Sequence, residues 1–233
     1  MKTSSGIFIM ICAVTLLLGM SGCGGQAALP STNTGGGQNT STTPATAIVI
    51  AADPETTITN MMNAFSTAPS YHTTTTITAK DRTTTMNADV ILPDRFDITT
   101  ERNGKTAEML IVGAKSYTKV KDQWVDSPFD IGSMTASFAK GLIKDTKISN
   151  VKFVKSDKVN GQPANVYTFD SVYAAEGLTV ESATTVWIDT TTGLPVKFEI
   201  ESTAAGVQSH TEQLIQYDPN IKIEAPCDSI TPS

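Results

Sequence analysis

Two histidines, three cysteines and 23 acidic side chains are the groups in this 233-residue chain that could supply acid–base, nucleophilic or metal-ligand chemistry. A catalytic imidazole needs a group to orient it and a proton within hydrogen-bond reach. His72 sits in a threonine-rich alternating run and His210 near the last such run, and both read as surface or cross-strand residues. Cys227 follows Pro226 with no histidine nearby, which reads as an inert thiol or an intermolecular disulfide. Two distant histidines and no Cys-x-x-Cys give no zinc pattern. Asp189, Glu199 and Glu201 fall on one hairpin, where solvated roles are expected. "NGKT" (Asn103–Thr106) lacks the spaced upstream glycine of a phosphate-binding loop. The chain is therefore expected to be no enzyme, with no metal and no cofactor.

Cys23 remains, and its chemistry is set by what surrounds it. Lys2 begins the chain, and the apolar run Ile7–Leu18 is too short to cross a bilayer as a finished helix, so residues 1–22 read as a signal peptide. Met20-Ser21-Gly22-Cys23 resembles a bacterial lipobox, with methionine where leucine is commoner. The match implies cleavage before Cys23 and a diacylglyceryl group on its thiol. The alternative is an ordinary signal peptide with an incidental cysteine. Residues 24–47 are rich in Gly, Thr, Ser, Pro and Asn and cannot bury enough apolar area to fold. A linker of that length reaches roughly 25–30 Å. The expectation is an exported protein, lipid-anchored to the outer face of the cell membrane or in the outer membrane of a diderm.

Charge supports this and excludes another class of partner. Lys and Arg number 17 against 23 Asp and Glu, a formal net charge of −6. Nucleic acid rewards dense Lys/Arg patches, so no nucleic-acid partner is expected. No polybasic surface for anionic lipid is expected either, which leaves the membrane link to the anchor.

Residues 48–226 read as one domain and 227–233 as a tail. The domain opens with a helix: Asp53 is a good N-cap, Pro54 suits the first turn, and Ile58, Met61, Met62 and Phe65 form one apolar stripe. The period then changes to two. "SYHTTTTITA", "TTMNADVILP", "RFDITTER", "KTAEMLIVG" and "KSYTKVKDQW" are strand candidates, with Phe96 and Ile98 on an inward face. Asn103-Gly104 between two of them predicts a two-residue type I′ hairpin turn. A second helix is expected over Asp130–Lys144, where Ile131, Met134, Phe138 and Leu142 make a stripe weakened by Gly132 and Gly141. Five more strands follow, including one on which Val196, Phe198 and Ile200 alternate with charged residues.

About ten strands and two helices make a mainly β, α+β chain whose antiparallel sheet should curl. Two helices cannot fill the concave face of such a sheet. The space is closed by the sheet, filled by small side chains, or left as a hollow that an acyl chain could enter. This order of elements behind a lipobox and linker is similar to the lipoprotein-carrier superfamily (LolA/LolB-like and LppX/LprG-type). The resemblance is carried by "SYTKVKDQWV" (Ser116–Val125), "VWIDTTTGLPVKFEIES" (Val186–Ser202) and "YDPNIKIEAP" (Tyr217–Pro226). It implies a half-open β-barrel with helices over the concave side, and a role in holding acyl chains and passing them between membranes.

Two functions follow as expectations. The first is an anchored lipoprotein that binds a hydrophobic ligand, a lipid or lipoprotein acyl chain, for carriage in the cell envelope. Its contacts would be Ile58, Met61, Met62, Phe65, Phe96, Ile98 and Phe198, with Ile131, Met134 and Phe138 on a movable lid. The second is a non-catalytic assembly lipoprotein with a packed core and an envelope protein partner.

Overall fold

A computed structural model describes residues 53–68, 70–127, 146–175 and 178–230. Cys23, the linker and the expected helix over Asp130–Lys144, with Ile131, Met134 and Phe138, lie outside them. Among the described residues there is one helix, α1 (Pro54–Ser66). Its start is the one read from sequence: the Asp53 side chain accepts a hydrogen bond from the Thr56 amide at 2.8 Å. That bond and the one from the Thr56 hydroxyl hold the Asp53 carboxyl below its usual range.

The rest is a single antiparallel sheet of eleven strands. β1 (Tyr71–Ala79), β2 (Arg82–Ile91), β3 (Arg95–Arg102), β4 (Lys105–Val112), β5 (Lys115–Val120) and β6 (Gln123–Asp126) form one meander. β7 (Thr146–Val159), β8 (Gln162–Ala175), β9 (Leu178–Asp189), β10 (Pro195–Ala204) and β11 (Val207–Tyr217) form the other. The two are joined where β1 pairs with β11, leaving β6 and β7 as the edges of a curled, unclosed sheet. This is the half-open form expected from sequence, since accumulated twist bends a sheet this wide.

The strand count exceeds the expected ten because "KSYTKVKDQW" is two strands. Lys121 and Asp122 have φ of 48° and 65°, which makes a tight turn between β5 and β6. Neither residue carries the Asn-Gly signal that marked Asn103-Gly104, where φ is 52° and 70° as the hairpin reading requires. A second departure lies at Val196. A register shift between Pro195 and Lys197 breaks the pairing of β10 with β9, so Val196 packs with Ala164, Val166 and Trp187 on the outer face. Phe198 and Ile200 keep their inward positions.

Both faces carry apolar clusters. The inner face packs the α1 stripe against β1–β4 and β8–β11. On the outer face the chain after β11 acts as a strap: Ile221 and Ile223 cover Leu110, Tyr117 and Trp124, and Arg95 Nη1 donates to the Ile223 carbonyl at 2.7 Å. The strap ends at Ile230, which bridges to Val125 and so covers the free edge of β6.

Candidate functional site on the concave face

The inner face is graded along the strands. At the end where α1 meets β1, Phe65 lies 5.4 Å from Tyr71 and 6.4 Å from Phe198, centroid to centroid. Ile58 (2 % exposed), Met61 (1 %) and Phe198 (0 %) are sealed there. Met62, Phe65, Phe96 and Ile98 belong to the same buried cluster. The structure therefore brings together every described residue expected to line a ligand cavity, and brings them together as close-packed core.

The middle of the face is buried but mixed. Thr73, Thr75, Thr184, Thr211 and Gln213 point inward among Val186, Phe198 and Ile200. Gln213 Nε2 donates to Thr73 Oγ1 at 2.9 Å. Thr75 Oγ1 is fully enclosed with no hydrogen-bond partner, a cost of about 1–3 kcal/mol for a polar group left dry.

At the far end the inward side chains shrink to serine. Ser171 of β8 lies opposite Ser182 of β9, Ser182 opposite Ser202 of β10, and Ser202 opposite Ser209 of β11. A shallow hollow of about 640 Å³ lies at this end of the sheet, lined chiefly by the outward-facing Ser149, Asp170, Val172, Glu181, Ala183, Glu201, Thr203 and Gln208 and not by the concave face. The Ser182 and Ser202 hydroxyls lie 3.0 Å apart. One pleat further along stand Phe169, Thr184 and Ile200, so the inward face passes from hydroxyls to apolar core.

The serine row was not foreseen from sequence. Counting back from the Ala205–Gly206 turn pairs Ser202 with Ser209, because the hairpin is tight. Ser182 cannot be counted onto Ser202 in that way. The β9–β10 connection runs through Thr190–Leu194, and the bulge at Pro195 shifts the register by one.

Both histidines are held by cross-strand pairing. His72 lies opposite Asp89 with Nδ1 2.5 Å from Oδ1, and Asp218 lies 3.7 Å from Nε2. The Asp89 hydrogen bond raises the imidazole pKa. His210 lies opposite Glu201 at 2.6 Å. Lys197 bridges Glu199 and Glu212, each at 2.8 Å, above the Trp187 ring. Asp189 differs from the solvated role expected of it. It is only 9 % exposed, and its Oδ1 accepts from the Thr191 and Thr192 amides and the Thr192 hydroxyl, fixing the β9–β10 turn. Among the described residues no group of three His, Cys, Asp or Glu side chains could hold a metal ion. Cys227 is exposed and free.

No protein-family model and no curated protein sequence matches the chain. Its fold matches solved structures. The Mycobacterium tuberculosis lipoprotein LppX superposes with a TM-score of 0.55 at 16 % identity, covering 74 % of this chain and 100 % of that one. LprF from Mycobacterium bovis superposes with a TM-score of 0.53 at 12 % identity, covering 74 % and 96 %. The resemblance read from sequence holds for the fold: an open, curled sheet of the LppX and LprF kind.

Proposed function

We propose that this chain is an exported, non-catalytic lipoprotein, anchored through Cys23, that holds a hydrophobic ligand on the concave face of its half-barrel for carriage in the cell envelope. The observation that carries this reading is the change of the inward side chains to serine at one end of that open face. A lipid or acyl chain placed there would rest its polar end on the Ser171–Ser182–Ser202 floor and run its tail towards Phe169 and Ile200. The fold shared with the lipoprotein LppX supports an envelope lipoprotein.

The test is mass spectrometry of an organic extract from the purified chain carrying Cys23→Ser. Co-purifying lipid at near one per chain is expected, and lost in Ser182→Phe and Ser202→Phe variants that keep their unfolding midpoint. One observation favours the second reading, a packed domain with an envelope protein partner: the apolar residues under α1 are buried in one cluster. An extract free of lipid, and no uptake of added fatty acid or phospholipid, would make that reading the better one.

A further inference from the structure

The two edges of the sheet are treated differently. β6 is covered by the chain's own terminus, the Asp126 amide donating to the Ile230 carbonyl and the Ile230 amide to the Trp124 carbonyl. β7 carries no such strap among the described residues. Within its length stand Lys147, Lys152 and Lys158, and Lys155 paired with the one acid, Asp157, at 2.8 Å, in a chain whose formal net charge is −6. The acidic balance of the whole conceals this local run of lysines.

At the centre of that edge Phe153 and Val154 are 49 % and 51 % exposed, more than any other large apolar residue described. Register shifts lie on both sides of Phe153, between Ser149 and Lys152 and between Phe153 and Lys155. Bulges of this kind, with lysines, spoil a ladder for the addition of another strand. An extended peptide therefore fits this edge poorly, while a surface that asks for no register fits it well. The helix that opens the folded domain, α1, also packs against β7. The basic edge thus lies beside the first described element after Cys23 in the sequence.

We propose that β7 is a second, non-covalent membrane contact, with Phe153 and Val154 entering the headgroup region and the flanking lysines meeting anionic lipid. Long lysine stems can lie along the apolar surface with their ammonium groups at the phosphates. The contact is independent of any ligand on the concave face, so an extract free of lipid leaves it standing.

The experiment is sedimentation with vesicles, using the chain from residue 23 onward with Cys23→Ser so that no acyl anchor contributes. Phosphatidylcholine vesicles with about one-third phosphatidylglycerol should carry the chain down at low ionic strength, and phosphatidylcholine alone should not. Raising salt to about 0.5 M, where charges beyond ~4 Å are screened, should release it. Lys147→Gln with Lys152→Gln should weaken partitioning about 30-fold, from the usual stabilisation per surface lysine. Phe153→Ser should weaken it at every salt concentration. Equal binding to both vesicle types, no binding to either, or an unchanged Gln variant overturns the proposal. Binding of soluble polyglutamate without any vesicle binding would assign the edge to an acidic protein partner and overturn it equally.

Discussion

The two ends of the concave face share one sheet, yet one is filled by large side chains and the other is lined by small ones. Under α1 the inward positions hold Tyr71, Val90, Phe96, Ile188 and Phe198; at the far end they hold Ser171, Ser182, Ser202 and Ser209. Side-chain volume makes the difference, and the backbone need not deform to make room. A half-barrel of this kind can open or fill space by exchanging large and small residues on one face. That is a cheap route to changing a ligand without changing a fold.

The comparison breaks most directly at Phe198. It is fully buried and touches the α1 ring Phe65, so Phe198→Ala should cost about 3–5 kcal/mol in urea unfolding. Ser182→Ala with Ser202→Ala removes both partners of one part-buried hydrogen bond, and should change stability by less than about 1 kcal/mol. Similar losses in the two variants would show that the serine end is as structural as the α1 end.

Asp189 sharpens the same contrast one level down. It sits at the α1 end of the sheet and satisfies two backbone amides and a hydroxyl in the β9–β10 turn. Asp189→Ala strands those donors in a part-buried site and should cost about 2 kcal/mol, read as a shift of the urea midpoint. The turn at Asn103-Gly104 belongs to the serine end. Gly104 has φ +70° and a Cβ built there meets nothing within 4 Å, so Gly104→Val is penalised by its backbone conformation alone. A cost of about 1 kcal/mol is expected. A midpoint unchanged by Gly104→Val would mean that the loop relaxes, and that the serine end tolerates rearrangement more than its register implies.

Much of the fold was legible because its signals are local. Asp53, Pro54 and the Ile58–Phe65 stripe are a helix within one short window, and Phe96 and Ile98 alternate along a single strand. Asn103-Gly104 announces its turn because both residues accept positive φ at low cost. Lys121 and Asp122 adopt the same conformation without that signal, held by the pairing of Val120 with Gln123 and of Tyr117 with Asp126. The serine row was illegible for a related reason. It depends on which residues of four different strands share a row, and a single-residue bulge at Pro195 decides that. Apolar residues attract attention as ligand contacts, but in this chain they are buried together in the interior.

The smallest effect expected is electrostatic and sits on the outer face at the α1 end. His72 is paired with Asp89 and faces Asp218, and both carboxylates favour the imidazolium, so its pKa is raised from the ordinary 6.5. A raised folded-state value means that protonated His72 stabilises the fold. The contribution is fully present below about pH 6.5, the unfolded-state value, and is lost as pH rises through the folded-state value. The His72 side chain is 43 % exposed, as is Asp89, so solvent and salt screen the pair and the loss should be modest. Urea midpoints measured at low ionic strength from about pH 5.5 to 8.5 should therefore fall in the wild type and flatten in Asp89→Asn. The His72 ring resonances should titrate above the ordinary histidine value, and move down in the variant. Titration at or below that value in the wild type would show that the short cross-strand contact carries no charge, and the α1 end would then owe its stability to packing alone.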